Sequence, residues 1–239
     1  MSAKHIPVVW ITGASRGIGA AIARSFAAVG SHVVLSGRDA GALRRNASLI
    51  RKLGGTASYV PCDVGREKSV SIACNAIRKK LKNIDILVNN AGITYFKSFE
   101  RTTVKEFDRL VATNLRGVFL CTKSVLPAML RRRSGVIINI VSVSATTTFK
   151  NSAAYSATKA GVLALSRSLR AEVRQKGIRV IDVLPGAVET AMWDNRERKK
   201  YHFKMMQPED VAEIVVSMTR QPDRVLTEEI IIRPLGGDL

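Results

Sequence analysis

A chain of 239 residues, 46% of them hydrophobic, can bury the core of one large α/β domain or two small ones. No apolar run, Gly135 to Val141 included, approaches the about 20 residues that cross a bilayer. Three cysteines without CxxC spacing and three scattered histidines argue against a disulfide framework or a metal site. Lys plus Arg number 38 against 19 Asp plus Glu, a formal net charge of +19. Such an excess favours acidic partners: nucleotides, phosphorylated or carboxylated substrates, acidic proteins or nucleic acid. A solvated basic surface without a partner has equal standing. The chain passes almost directly from Met1 into the strand-like Ile6 to Thr12, which leaves no room for a leader and makes a cytoplasmic protein the default expectation.

Taken from the N-terminus, short β-branched runs alternate with longer amphipathic stretches. Val8–Thr12, His32–Ser36, Ala57–Pro61, Ile84–Asn89, Gly135–Val141, Arg179–Leu184 and Glu229–Ile232 predict about seven strands. Several are continuously apolar, as strands buried on both faces are. Between them, Gly17–Val29, Ala40–Leu53, Lys68–Leu81, Val104–Leu130, Tyr155–Lys176 and Pro208–Thr219 have helical length and patterning. Gly30, Gly54 and Gly177 fall where helix C-termini are punctuated. Pro208, Glu209 and Asp210 suit a first helical turn. Repeated βα units imply an α/β fold, a Rossmann-type doubly wound parallel sheet with helices on both faces. No linker divides residues 1–239, so one domain is expected.

The first strand leads through Thr12-Gly13-Ala14-Ser15-Arg16-Gly17-Ile18-Gly19 into the first helix. Glycines there permit a tight turn and close approach of backbone to a pyrophosphate, and a helix N-terminus offers free N–H groups and partial positive charge. The spacing is GxxxGxG, not GxGxxG. Its position between first strand and first helix is what makes Gly13, Ser15, Arg16, Gly17, Ile18 and Gly19 candidates for dinucleotide binding. An NAD site places a carboxylate at the end of the second strand to hold ribose hydroxyls. Here that stretch reads Leu35-Ser36-Gly37-Arg38, with glycine in the carboxylate's place. Arg38 and Arg16 are suited to a 2′-phosphate, so NADP(H) is the expected cofactor. The adjacent Asp39 argues the other way.

Tyr155 and Lys159 stand four apart in a helical stretch and share a face. A tyrosine titrates near 10 when free, and a neighbouring ammonium favours tyrosinate and lowers that value. Such a pair is common by chance. Here it is accompanied by TGxxxGxG at Thr12 to Gly19, Cys62-Asp63-Val64, Asn89-Asn90-Ala91-Gly92, Asn114, Ser142 thirteen residues before Tyr155, and Pro185-Gly186 followed by Thr190. In this order, over nearly the whole chain, the set resembles the short-chain dehydrogenase/reductase family.

The resemblance implies roles. Tyr155 would be general acid in reduction and base in oxidation, and Lys159 would lower its pKa and bond the nicotinamide ribose. Ser142 would hold the substrate carbonyl, and Asn114 would fix a water linking Lys159 to solvent. Asp63 and Val64 would contact adenine. Asn90, Ala91, Gly92, Pro185, Gly186, Val188 and Thr190 would line the rest of the cofactor site. Ser144 is a helper to Ser142 or a plain loop serine.

The stretch 190–207 is expected to be a lid over the substrate or an ordinary amphipathic helix, since it mixes Met192, Trp193, Phe203, Met205 and Met206 with Arg196, Arg198, Lys199 and Lys200. The substrate would be a small-molecule carbonyl, a 3-oxoacyl group carried on acyl carrier protein or coenzyme A, or a smaller ketone or 3-hydroxy acid. Family members that reduce the carrier-bound group have basic residues where Arg131-Arg132-Arg133 and Lys176 stand. The C-terminal Glu228 to Gly237 departs from their ending. The family usually forms homodimers or homotetramers. A non-catalytic NADPH-binding regulator is the competing reading, weakened because Asn114, Ser142, Tyr155 and Lys159 are all kept. With 5% aromatics and no stacking platform or groove-reading motif, specific nucleic-acid recognition is not expected.

Overall fold

Every residue of β1 (Val8–Thr12), β4 (Ile86–Asn89) and β5 (Gly135–Ile140) is buried, which is what continuous Val, Ile and Leu runs achieve when helices cover both faces of a sheet. The computed structural model describes residues 5–222 and 224–238. β2 (His32–Gly37), β3 (Thr56–Pro61), β6 (Ile178–Pro185) and β7 (Glu229–Ile232) complete a seven-stranded sheet ordered β3-β2-β1-β4-β5-β6-β7. All pairings are parallel. The edge strands are the wet ones: Thr56, Tyr59 and Pro61 of β3 and Ile231 of β7 are exposed.

The strand order reverses between β1 and β4. That reversal opens a crevice at their carboxyl ends, the place where such sheets bind ligands. The expected strands are all present, with ends shifted by at most two residues, and so are the expected helices apart from a break within Val104–Leu130 and an earlier end, at Val173, of the helix expected over Tyr155–Lys176.

α1 (Gly17–Ala28), α2 (Ala40–Lys52) and α8 (Pro208–Thr219) cover one face. Ile22, Phe26, Leu43, Ile50, Val211 and Val215 pack there on Val9, Ile11, Val33 and Leu35. α3 (Glu67–Leu81) and α5 (Gly117–Arg132) cover the other, with Val70, Ile77, Leu120, Val125 and Met129 against Trp10, Val34, Leu87 and Ile137. α6 (Ala153–Val173) joins α5 through Val118, Val162 and Leu163. Each such side chain, fully buried, contributes about 1.5–3 kcal/mol before entropy is subtracted.

Two segments differ from expectation. The helix expected over Val104–Leu130 is broken into α4 (Val104–Leu110), a π-helical turn (Val111–Arg116) and α5. The wider turn lets Asn114 reach the Ile93 peptide, a frequent use of π geometry. The 190–207 stretch contains a short helix, α7 (Asn195–Tyr201), started by Asp194, whose carboxylate accepts the Arg196 and Glu197 amides at 2.8 Å. Its two ends are held together, since Glu189 N–H donates to Met206 O at 2.8 Å and Met206 N–H to Ala187 O at 3.0 Å. The excursion is thus a closed loop rooted on one rung of parallel pairing.

A polar chain crosses the sheet interior. Asn89 donates to Asn139 at 2.9 Å, Asn139 to Asp182 at 2.9 Å, and Arg170 to Asp182 at 2.5 Å. Burial pushes the Asp182 carboxyl up, while Ser166, Asn139 and Arg170 pull it down. Among the described residues no helix is long and apolar enough to cross a membrane.

Candidate active site

A cavity of about 790 Å³ occupies the crevice at the carboxyl edge of the strands. Of the sequence candidates, Gly13, Ser15, Arg16, Gly17, Ile18, Arg38, Asp63, Val64, Asn90, Ala91 and Gly92 line it, as do Ser142, Tyr155, Lys159, Pro185, Gly186, Val188 and Thr190. Gly19 and Asn114 stand behind the wall. A Cβ at Gly19 would come within 2.4 Å of Asn90 Nδ2 and 2.5 Å of Gly13 O, so this glycine serves tight packing of helix on turn.

The turn after β1 is held from three sides. Thr12 Oγ1 accepts the Asn90 and Ala91 amides, both at 3.1 Å, and Asn90 Nδ2 donates to Thr12 O at 3.0 Å and Gly13 O at 3.2 Å. Asn46 of α2 donates to Ala14 O at 3.2 Å and Ser15 O at 2.9 Å. The Asn90 Nδ2 donors are therefore engaged by the turn. Gly13 has φ +67°, and a Cβ there would stand 2.7 Å from Ala91 Cα. Bare backbone is the only wall that fits.

The N-terminus of α1 carries neither a side-chain cap nor an acidic residue in its first turn. It presents unsatisfied N–H groups to the cavity, a cradle suited to phosphate. Arg16 and Arg38 flank it. Asp39 caps α2, accepting the Ala42 amide at 2.9 Å. At the other end of the crevice, Asp63 Oδ1 accepts the Gly65 amide at 3.1 Å and Arg66 lies 3.5 Å from Oδ2.

β5 delivers Ser142 and α6 delivers Tyr155 and Lys159 to the same wall; all three are buried. Ser142 Oγ accepts the Ser144 amide at 3.1 Å, and Lys159 Nζ donates to Ile140 O at 2.9 Å. Nζ lies 5.7 Å from the centroid of the Tyr155 ring. Burial pushes the Tyr155 phenol up to about 12, with the Ser142 hydroxyl pulling it down. Burial also pulls Lys159 down to about 8. Desolvation of the oxyanion sets the direction of the phenol's shift, and the Lys159 ammonium is bonded to a carbonyl.

Asn114 accepts the Ile93 amide and donates to Ile93 O, both at 2.9 Å, and donates to Thr158 Oγ1 at 3.1 Å. Thr158 in turn donates to Tyr155 O at 2.7 Å. Asn114 thus ties the loop after β4 to the first turn of α6. A Cβ at Gly92 would lie 3.6 Å from Asn114 Oδ1 and 3.9 Å from Lys159 Nζ, so glycine keeps open the space between them.

Sequence reasoning missed Asn46, Thr158, Thr94 and Phe96. The Thr94 hydroxyl lines the cavity and is buried with no hydrogen-bond partner among the described residues. Phe96 stacks on Trp193, centroids 5.5 Å apart and planes 28° apart, and lies 6.4 Å from the Tyr155 ring. Aromatic pairs carry no local sequence pattern across such a separation. Arg131, Arg132, Arg133 and Lys176 stand at the opposite, amino-terminal edge of the sheet, a strand length or about 20 Å from Tyr155. The cations that line the cavity beyond Arg16, Arg38 and Lys159 are Lys150 and Lys204.

Fold and site together define a dinucleotide-dependent oxidoreductase. The family model described as short chain dehydrogenase matches residues 7–201. The chain is 38% identical over 243 residues to a sepiapterin reductase of Chlorobaculum tepidum, covering 99% of this chain and 98% of that protein. It is 34% identical to an uncharacterized oxidoreductase of Staphylococcus aureus, covering 94% and 96%. Among solved structures it resembles an actinorhodin polyketide ketoreductase with NADPH at TM-score 0.90 and 31% identity, covering 98% of each chain. It also resembles an alcohol dehydrogenase of Thermococcus sibiricus complexed with 5-hydroxy-NADP, at TM-score 0.89 and 29% identity, covering 97% of each. The chain belongs to the short-chain dehydrogenase family, whose members use a nicotinamide cofactor.

Proposed function

We propose that this protein reduces a ketone to a secondary alcohol with NADPH, and that Tyr155 supplies the proton. The observation that carries the reading is the convergence of Ser142, Tyr155 and Lys159 on one wall of a cavity whose other end is a phosphate cradle. The cofactor is NADP(H). Arg16 and Arg38 flank the cradle, Gly37 replaces the ribose-binding carboxylate, and Asp39 is engaged as the cap of α2. NADPH, when bound, supplies a hydride to the carbonyl carbon.

The protein's share is orientation and proton supply. Ser142 Oγ accepts from Ser144 N–H, so its own proton is a donor, shared between the Tyr155 hydroxyl and a substrate oxygen placed beside it. Tyr155, protonated at neutral pH, gives its O–H proton to that same oxygen as negative charge builds there, so the hydride's electron pair ends in a C–H bond and the oxygen ends as hydroxyl. Lys159, cationic below about 8, holds positive charge beside the phenol and the ribose. Asn114 positions the loop after β4 and α6, and the gap that Gly92 leaves between its Oδ1 and Lys159 Nζ suits a water through which Tyr155 is reprotonated.

The closed loop over residues 190–207 acts as the lid, bringing Trp193, Tyr201 and Lys204 to the cavity. The Phe96–Trp193 stack puts an aromatic wall on the cavity beside Tyr155, which favours a ketone borne on a planar ring; the relative named a sepiapterin reductase agrees with this. A 3-oxoacyl group on acyl carrier protein or coenzyme A is the second reading, supported by Lys150 and Lys204 on the cavity wall, where they would meet an anionic carrier arm. Loss of NADPH absorbance over a panel of ring-borne ketones, small ketones and acetoacetyl thioesters tests the proposal. Turnover of one class sustains it, and binding of NADPH with no turnover of any sinks it.

A further inference from the structure

Nine cations at the amino-terminal edge of the sheet take no part in the site. The carboxyl ends of α3, α5 and α6 emerge there side by side. α3 ends in Arg78, Lys79 and Lys80 and is followed by Lys82; α5 ends in Arg131 and Arg132 and is followed by Arg133; the turn after α6 holds Arg174 and Lys176. Arg132 donates to Asn83 Oδ1 at 3.2 Å and Ile84 O at 3.0 Å, which joins the end of α5 to the turn after α3. Arg133 donates to Gln175 O at 2.9 Å, which joins it to the turn after α6. The three ends form one surface.

Cations at helix C-termini complement the dipole, but that effect is confined to the last turn. Lys82 and Arg133 lie beyond it and hold φ of +66° and +53°. Lys82 closes a γ-turn in which Asn83 N–H donates to Leu81 O at 2.8 Å. Glycine would take either conformation without steric penalty. Charge is carried at both positions against the local backbone preference.

Little acid offsets it. Asp85 is engaged by Arg132 and His5, Glu228 pairs with Arg174, and Glu172 is exposed on α6. Arg78, Lys79, Lys80, Lys82, Arg131, Arg133 and Lys176 are exposed and have no carboxylate partner among the described residues.

The chemistry of the surface narrows its partner. Segments 78–83, 131–134 and 174–177 contain no aromatic residue, and Leu81 is their one aliphatic side chain. Protein interfaces are depleted in lysine and enriched in aromatics and methionine at their centres. Membrane-binding faces pair cations with apolar residues that insert, and single-strand binding uses stacking platforms. A dense array of flexible cations with none of these matches the phosphate backbone of a duplex, read without base contacts.

We propose that the edge formed by the ends of α3, α5 and α6 binds the backbone of duplex nucleic acid without sequence preference, independently of the NADP(H) cleft. The test is fluorescence anisotropy of the full chain, saturated with NADPH, on a labelled duplex DNA of about 30 base pairs between about 50 and 200 mM NaCl. Binding is expected to be saturable and alike for unrelated sequences. Log affinity should fall against log salt with a slope of about −4, for about five neutralised phosphates. Lys79→Glu combined with Lys80→Glu and Arg131→Glu should weaken it at least about tenfold, with NADPH binding and melting temperature kept. Lys199→Glu with Lys200→Glu, on the exposed face of α7, should leave it unchanged. The proposal is overturned by no binding at the lowest salt, by competition from NADPH, by equal loss in the α7 control, or by a slope shallower than about −2. Tighter, edge-dependent binding of an acidic carrier protein or of anionic vesicles would equally overturn it.

Discussion

The Asp39 carboxylate accepts the Ala42 amide at 2.9 Å, so the acidic residue that follows Arg38 serves as the cap of α2. Cofactor choice then rests on Arg16, Arg38 and the missing side chain of Gly37. A Cβ at Gly37 would meet only ordinary contacts, at 3.7 Å from Leu43 and 3.9 Å from Ser15, so a side chain fits. Gly37→Asp should lower the NADPH-to-NADH ratio of kcat/KM by at least about tenfold, since about 1.4 kcal/mol of repulsion from the 2′-phosphate suffices. Arg38→Ala should move the ratio the same way. An unchanged ratio in both variants would remove the charge explanation of the preference.

Burial brings Lys159 to about 8, well below the ordinary lysine value of 10.5. Its ammonium is present below that pH and lost above it, whereas Tyr155, pushed up to about 12, stays protonated throughout. In the reductive direction kcat/KM should therefore hold level through neutrality and fall as pH rises through about 8. A profile flat to pH 10 would contradict this assignment. Between about 8 and 10.5 the unfolded chain binds the extra proton, so this group should make global stability rise with pH over that window, as read by denaturant midpoints.

Trp193→Ala removes half of the stack that Phe96 completes. It should raise KM for ring-borne ketones by about tenfold, the loss of one aromatic contact, and leave small ketones nearly unaffected. Equal effects on both substrate classes would indicate a general role in closing the loop.

Arg170 and Asp182 form an ion pair at 2.5 Å inside the sheet–helix layer, with side-chain exposures of 5% and 0%. Arg170→Ala leaves a buried carboxylate with a partner removed and should cost about 3–5 kcal/mol in denaturant unfolding. Arg170→Ala combined with Asp182→Leu should recover part of it. A loss under about 1 kcal/mol in the single variant would mean that Asn139 and Ser166 satisfy the carboxylate without help.

Much of this architecture was legible in the chain. Continuous apolar runs such as Val8–Thr12 and Gly135–Ile140 can be buried on both faces only in a helix-covered parallel sheet, and the glycine turn announces the crevice. The break within Val104–Leu130 was not legible, because it depends on a long-range bond from Asn114 to Ile93 that helical periodicity cannot report. The same holds for Asn46 on the glycine turn and for the Phe96–Trp193 stack, which join elements distant in sequence. Four-residue spacing placed Lys159 beside Tyr155 but carried no information on burial, and burial sets the direction of both shifts.

The central claim is that the Tyr155 hydroxyl delivers the proton. The most direct measurement is steady-state NADPH oxidation by Tyr155→Phe on the best ketone of the panel, beside a titration of NADPH binding. The account predicts a loss in kcat of about 100-fold or more with cofactor affinity kept, since phenylalanine preserves the ring and removes only the acid. A variant that retains kcat within a few-fold would place the proton donor elsewhere.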